Sequence, residues 1–175
     1  ERDGLIKVAD DRSLELTDEG RRRATEVIRK HRLAERLLLD VIGLDRRLVH
    51  EEACRWEHVM SEQVEGRLAS ILDDVSTDPF GNPVPPQTAE HPRPSADEVS
   101  VERLASRETT TAVVSRIGEP IQADAELIAA LEDAAIAAGA QVELRISAGG
   151  VRLVGASGDP VVLADDVARH LFVRR

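Results

Sequence analysis

A proline-rich segment constrains the fold of this chain more than any other feature of its sequence. Six of the eight prolines fall in PFGNPVPPQTAEHPRP, residues 79–94. Proline fixes φ and removes a backbone donor, so the segment can continue neither a helix nor a central strand. We therefore expect an extended linker that divides the chain into two parts of different structure.

The residues before this linker predict a β-hairpin followed by three helices. Alternating apolar and polar residues in GLIKVADDRSLELT predict strands near residues 5–8 and 14–16. Thr17 and Ser61 suit helix N-caps, and Gly43 suits a helix end. The expected helices cover about 18–43, 45–59 and 61–74. The inner face of the third helix is expected to carry Val64, Leu68, Ile71 and Leu72.

The residues after the linker predict a different fold. Short β-rich segments such as TAVVSRI, QVELRISA and GVRLVGA alternate with Gly, Asp and Pro signals, and one helix, DAELIAALEDAAIAAG, interrupts them. We expect a small barrel-like domain with one helix. The polar segment SADEVSVERLASRE, residues 95–108, is expected to belong still to the linker.

Composition limits the cellular compartment in which the chain is expected and the classes of partner it can bind. A single cysteine excludes an intramolecular disulfide, and no apolar run is long enough to span a membrane. No signal peptide opens the sequence, which favours the cytoplasm, and the first residue is not Met, as expected of a truncated chain. A net charge of −10 argues against nucleic acid, although residues 20–36 are locally basic.

Cysteine, histidine, tryptophan and methionine, four residue types that bind metals or take part in chemistry, all occur within VHEEACRWEHVM, residues 49–60. On a helix, one face carries His50, Cys54, Glu57 and His58. Cys54, Glu57 and His58 lie within about one turn, close enough to bind one ion. Thiolate, imidazole and carboxylate together suit Fe(II), Co(II), Ni(II) or Zn(II) rather than Ca or Mg.

The preceding helix offers a second group of ligands. His31 and Glu35 are four residues apart and share a face. If the two helices pack antiparallel, this pair can lie beside His50. The sequence therefore permits two neighbouring metal sites.

Other interpretations of these residues remain open at this point. A His–Glu pair four residues apart is common as a weak ion pair on a helix surface, and a lone cysteine is usually a small buried residue. Cys54 could also be the nucleophile of a thiol enzyme, with His50 or His58 as its base. A third interpretation is a metal-free interaction module.

Four segments carry a resemblance to a known family: ERDGLIKVADDRSLELTDEGR, RKHRLAERLLLDVIGL, VHEEACRWEHVMSEQVEGRL and PFGNPVPP. They resemble the diphtheria toxin repressor family of actinobacterial iron-dependent repressors. The resemblance implies an α+β multidomain chain: the β-wing of a winged helix-turn-helix domain, a three-helix metal and dimerisation domain, a Pro-rich linker and an SH3-like barrel. The implied ranges are 1–17, 18–75, 76–108 and 109–175. The first helices of the DNA-binding domain would precede Glu1.

The resemblance also assigns the two metal sites. The implied ancillary site comprises His31, Glu35, His50, Glu119 and Gln122, the last two from RIGEPIQAD. The implied primary site comprises Cys54, Glu57 and His58, completed in the family by a methionine that would precede Glu1. Trp56 and Met60 are expected to pack at the dimer interface.

An anion pocket of the family is matched only in part. Arg32 and Asn82 match its residues, but Asp78 stands where the family has a small hydroxyl residue, and an acid there would repel an anion.

The function that the resemblance implies is a homodimeric, Fe2+-dependent repressor of iron-homeostasis genes. It would bind two ions per subunit and, as the full-length protein, operator DNA, with no membrane partner. The Cys54 thiolate favours Fe2+ over Mn2+, and Zn2+, Co2+, Ni2+ or Mn2+ are expected to replace it in vitro.

Overall fold

A computed structural model of the chain describes residues 3–87 and 95–175. Its N-terminal part begins with the predicted hairpin, in which β1 (Ile6–Val8) pairs antiparallel with β2 (Leu14–Leu16). The hairpin is joined to the first helix at Thr17. The backbone N–H of Thr17 donates to the Leu5 carbonyl at 3.0 Å, and its hydroxyl donates to the Gly4 carbonyl at 2.7 Å.

Three helices follow, and the first and third begin directly after the residues that the sequence predicts as caps. The helices are α1 (Asp18–Arg36), α2 (Arg46–Trp56) and α3 (Glu62–Ile71). Thr17 caps α1 by accepting from the Gly20 N–H, and Ser61 caps α3 by accepting from the Val64 N–H. The turns after α1, Leu37–Ile42, are π-helical and end at Gly43, whose φ of 74° is left-handed.

The predicted inner face of α3 is half wrong. Leu68 and Leu72 are buried, but Val64 is 50% and Ile71 58% exposed. Helical spacing identifies residues that share a stripe, but not how much of the stripe another element covers. Within the described ranges α3 packs mainly against α1, which leaves the outer part of its apolar stripe uncovered.

The C-terminal part is a six-stranded antiparallel sheet in the order β3-β8-β4-β5-β6-β7. Its strands are β3 (Val99–Ser100), β4 (Thr110–Ile117), β5 (Gln141–Ser147), β6 (Gly150–Val154), β7 (Pro160–Leu163) and β8 (Leu171–Arg174). Its helices are α4 (Val101–Leu104), α5 (Glu119–Gln122), α6 (Ala125–Asp133) and α7 (Asp165–Ala168). The fully buried Val114, Leu144, Leu153 and Leu171 contribute to its core.

Two predictions about this part need correction. Residues 95–108 were expected to be linker, but Val99–Ser100 pairs with β8 and Val101 is completely buried. A polar sequence around one apolar residue gives no periodic signal, so only packing shows that this segment belongs to the sheet. The single expected helix is α6, and three further helices of four residues each accompany it, too short to produce a periodicity.

The first half of the Pro-rich linker packs against both parts of the chain. Phe80 is 1% exposed, and its carbonyl accepts from the Ile117 N–H of β4 at 2.9 Å. Arg46 of α2 donates to the Pro79 carbonyl at 3.0 Å. At Gly81, with φ of 88°, an added Cβ would overlap the Ser115 carbonyl, so only glycine permits this approach. Residues 88–94 lie outside the described ranges.

No helix of the part that the structure describes is both long and apolar enough to cross a membrane.

Candidate metal centre

Five of the eight predicted ligands converge where α1 packs against α2. We call this group the α1–α2 cluster. It consists of His31, Glu35, His50, Cys54 and Glu57. The helical spacing of these residues turns them toward the facing helix, where the two helices contact each other extensively.

Three ligand atoms meet at the centre of the cluster. His31 Nε2 lies 2.9 Å from Glu35 Oε1 and 3.1 Å from His50 Nδ1. His50 Nδ1 lies 3.4 Å from Glu35 Oε1. This is the triad that the sequence places on two neighbouring helices, and the structure brings its three members together.

The cluster continues beyond this triad. His31 Nδ1 lies 2.7 Å from Glu57 Oε2, and His50 Nε2 lies 3.6 Å from Cys54 Sγ. The two predicted sites are therefore contiguous. His58 lies outside: its side chain is 69% exposed, and its Nε2 is 3.2 Å from Glu57 Oε1.

Burial strengthens the electrostatic interactions among the ionisable groups of the cluster, which shift their pKa values. Burial alone would lower the pKa of His31, but the hydrogen bonds and charges of Glu35 and Glu57 raise the pKa above its ordinary value. Burial would likewise raise the pKa of Glu35, yet His31 and His50 lower it. The site therefore favours an ionised Glu35 carboxylate beside a protonated His31.

The surroundings of Cys54 favour its neutral, protonated form. Burial, together with the charges of Glu57, Glu35 and Glu51, raises the pKa of its thiol. A nucleophilic cysteine needs a lowered pKa and a cationic neighbour, so these surroundings do not suit a thiol enzyme. They suit a thiol that loses its proton only to a metal ion.

The cluster meets the requirements of a cation site. Glu35 Oε2 is buried without a hydrogen-bond partner among residues 3–87 and 95–175, so a strong acceptor is left open. His31 Nε2, His50 Nδ1 and Glu35 Oε1 lie 2.9–3.4 Å from one another, and this donor set would hold a divalent cation such as Fe2+ or Zn2+. Ligand atoms of His31, His50 and Cys54 also lie within 4.8 Å of one another.

The two ligands predicted from the C-terminal domain have other partners here. Glu119 Oε1 lies 2.6 Å from an Arg32 guanidinium nitrogen. Gln122 Nε2 donates to the Ile117 carbonyl at 2.6 Å, whereas its Oε1 is buried with no partner in the described part of the chain. Their helix α5 packs against α2. Their role as metal ligands stays a prediction.

The residues of the predicted anion pocket face protein acceptors. Arg32 donates to the Pro83 carbonyl at 2.5 Å and to Glu119, and its Nε lies 3.7 Å from Asp78 Oδ2. Asn82 Nδ2 donates to Asp78 Oδ2 and to the Ile117 carbonyl, both at 2.9 Å. Arg32 and Asn82 therefore already contact the carboxyl groups of Asp78 and Glu119.

An apolar groove lies on the outer side of the helices. Its volume is about 310 Å³, and its lining includes Leu37, Trp56, Val59, Met60, Val64 and Leu68. Of the two predicted interface residues, Met60 is 8% exposed and already buried within one chain. The exposed surface comes from Val59, which is 81% exposed, and from Val64. These residues were missed as interface candidates, although their apolar spacing was visible.

Two sequence models match the chain in the order of its two parts. The model described as "Iron dependent repressor, metal binding and dimerisation domain" covers residues 17–86. The model described as "Diphtheria toxin repressor SH3 domain" covers residues 99–175. The chain belongs to the iron-dependent repressor family.

Relatives in this repressor family match along the whole chain. The iron-dependent repressor IdeR of Mycobacterium tuberculosis is 46% identical over 181 residues, which cover 100% of this chain and 79% of the relative. The diphtheria toxin repressor of Corynebacterium glutamicum is 48% identical over 179 residues, covering 100% of this chain and 78% of the relative. These relatives are transcriptional repressors and not enzymes.

A solved structure of the repressor family has the same fold. The crystal structure of IdeR from T. acidophilum superimposes with a TM-score of 0.76 at 27% identity, covering 99% of this chain and 77% of that chain. The predicted α+β organisation, with a helical domain and a C-terminal SH3-like domain, is confirmed by this likeness and by the two sequence models.

Proposed function

We propose that this chain is the metal-sensing and dimerising part of an Fe2+-dependent transcriptional repressor of iron-homeostasis genes that acts in the cytoplasm. The observation that carries the proposal is the buried α1–α2 cluster, in which two imidazoles, a carboxylate with an open oxygen and a thiol lie within ligand reach of one another. Membership of a repressor family supports it.

Two metal sites per subunit follow from this proposal. The ancillary site would use His31, Glu35, His50, Glu119 and Gln122. The primary site would use Cys54, Glu57 and His58. His58 would have to turn inward from its exposed position. Glu119 would have to bind the ion while still paired with Arg32, or break that pair. A bound divalent ion would supply a shared positive charge that ties these helices together. The thiolate favours Fe2+ over Mn2+, whereas Zn2+, Co2+ and Ni2+ suit the same donor set.

The proposed domain limits keep 1–17 as the wing, 18–75 as the helical domain and 109–175 as the SH3-like domain. The linker shortens at its C-terminal end, where β3 joins the sheet and α4 packs beside it.

The helix α1 links the cluster to the wing. It carries His31 and Glu35, while its N-terminal cap Thr17 is bonded to the hairpin at Leu5 and Gly4. From Thr17 to His31 the helix spans roughly 21 Å, at about 1.5 Å per residue. A change in how α1 packs on α2 would therefore be carried to the wing, which is expected to contact operator DNA.

The DNA-binding step is tested on the full-length protein. Cys54→Ala is expected to abolish the gain in operator affinity on adding Fe2+ or Co2+ under anaerobic conditions, measured by fluorescence anisotropy. Arg55→Ala, one residue further on α2 and exposed, is the matched control and should keep the wild-type response. A Cys54→Ala protein with wild-type metal dependence would contradict the proposal. Elemental analysis of the purified chain distinguishes it from a metal-free interaction module.

The homodimer is tested separately. Val64→Glu places a charge in the apolar groove and is expected to give a monomer in sedimentation velocity at tens of micromolar, where the wild type sediments as a dimer. Val162→Glu in the sheet is the matched control, because Val162 is 49% exposed and Val64 50%. A wild-type chain that sediments as a monomer, or a dimeric Val64→Glu chain, would refute dimerisation through this groove.

A further inference from the structure

The two histidines of the α1–α2 cluster use both of their ring nitrogens, and each nitrogen faces a different proposed metal site. His31 presents Nε2 to Glu35 and His50, and Nδ1 to Glu57 at 2.7 Å. His50 presents Nδ1 to His31 and Glu35, and Nε2 to Cys54 at 3.6 Å. Both rings therefore stand between the two ligand sets.

We infer that the two metal sites are energetically coupled through the imidazole rings of His31 and His50. This inference rests on the proposed function and adds how its two sites regulate each other. A neutral imidazole that binds a cation through one nitrogen carries its proton on the other. With the ancillary site filled, His31 would donate from Nδ1 to Glu57, and His50 would donate from Nε2 to Cys54.

These two hydrogen bonds would prepare the primary ligands. An N–H donor aimed at a ligating carboxylate or thiolate stabilises its charged form and fixes its orientation. Loss of such a supporting partner typically weakens metal binding by about 10- to 100-fold. Because coupling between binding sites is reciprocal, an ion at the primary site would strengthen binding at the ancillary site by the same factor.

Burial and packing hold each imidazole ring in one orientation. The side chains of His31 and His50 are 3% and 13% exposed, and that of Glu57 is 13% exposed. The rings meet edge to face, with centroids 4.8 Å apart and planes at 65°. Buried rings on two packed helices have little freedom to exchange their nitrogens, so each nitrogen keeps its own partner.

Glu35 allows the coupling to be tested without altering a primary ligand. Its Oε1 contacts His31 Nε2 and His50 Nδ1, and no hydrogen bond joins it to Cys54 or Glu57 within the described residues. Co2+ is the probe, because a cobalt–thiolate bond gives a charge-transfer absorption that reports binding at Cys54 alone. Glu35→Gln is expected to weaken this binding by about tenfold or more. Glu62→Gln, an exposed change on α3, is the control and should leave it unchanged.

The outcomes separate this inference from the proposed function. If the full-length wild-type protein, which would supply the methionine expected before Glu1, shows no cobalt–thiolate absorption beyond that of its Cys54→Ala variant, the primary site and with it the proposed function fail. If the absorption is present and the Glu35→Gln chain reaches it with wild-type affinity, the coupling is overturned and the primary site stands. Should Glu35→Gln not fold, Glu35→Asp decides: weakened binding supports the coupling and wild-type affinity overturns it.

A second measurement follows the protons directly. In the chain loaded with Zn2+, nitrogen NMR of the imidazoles is expected to place a proton on Nδ1 of His31 and on Nε2 of His50. The reverse tautomer at either ring would overturn the inference, because that ring could not donate to the primary ligand.

Discussion

Asp78 is a buried acid, and its protonation affects the stability of the turn at residues 78–82. Its Oδ1 accepts from the backbone N–H groups of Phe80 and Asn82 at 2.8 and 2.9 Å, which shapes the turn that seats Phe80 in the core. Burial and the nearby charge of Glu35 raise the pKa of Asp78 to about 8, in spite of these donors. The folded protein therefore binds a proton here that the unfolded chain releases near pH 4.

This shift predicts a pH dependence of stability. Because the folded-state pKa lies above the unfolded one, the contribution of Asp78 is present below about pH 4 and is lost as pH rises toward about 8. Asp78→Asn is expected to flatten this fall in the free energy of unfolding. Urea denaturation across this range, with a chelator present, measures it. The exposed Asp73→Asn is the control, and parallel profiles for Asp78→Asn and wild type would contradict the prediction.

At the scale of elements, one arginine joins α1, α3 and the linker. Arg29 Nε lies 2.7 Å from Glu65 Oε1, and the two side chains are 12% and 6% exposed. Arg29 also donates to the Pro85 carbonyl at 2.6 Å. The pair is buried well enough that removing one partner would leave an uncompensated charge between two helices.

Arg29→Ala is expected to lower the free energy of unfolding by about 3–5 kcal/mol, because Glu65 would remain buried without its partner. Replacing both residues with methionine should cost much less, since the charge is removed together with its partner. Urea denaturation of the two single variants and the double variant measures the coupling. Arg22→Ala, in an exposed pair on the same helix, should change stability by less than about 1 kcal/mol. A similarly small effect for Arg29→Ala would contradict the prediction.

At the scale of the whole molecule, arginines of the helical part hold the SH3-like part in place. Arg46 of α2 lies 3.1 Å from Glu132 of α6, donates to the Pro79 carbonyl, and stands 5.4 Å above the Phe80 ring. Arg32 makes the second link, to Glu119. These contacts position the C-terminal domain beside the α1–α2 cluster.

Arg46→Ala is expected to loosen this docking. The Ile117 N–H, which donates to Phe80 across the linker contact, should exchange with solvent about tenfold faster or more. The Val114 N–H, bonded within the sheet to the Ala140 carbonyl at 2.8 Å, should be unchanged and serves as an internal control. Arg47→Ala, whose pair with Asp45 is local and exposed, is the matched variant. Equal Ile117 exchange in Arg46→Ala and wild type would show that Arg46 does not hold the domains.

Local patterns in the sequence were sufficient for much of the fold. The hairpin, the caps at Thr17 and Ser61, the left-handed Gly43 and the His31–Glu35 pair all depend on residues within a few positions of each other. Such features follow from backbone geometry and helical spacing, which the sequence by itself determines. The resemblance to a repressor family added the order of the domains, which the two sequence models confirm.

The tertiary structure decided how these local elements meet. The His31–Glu57 and His50–Cys54 contacts, the exposed position of His58, the Arg32–Glu119 pair and the inclusion of Val101 in the sheet core depend on it. Helical periodicity fixes which side chains share a face, but not the rotation and offset of that face against another helix. Those are set by packing between residues far apart in the chain, so one continuous cluster could only be recognised once the helices were placed together.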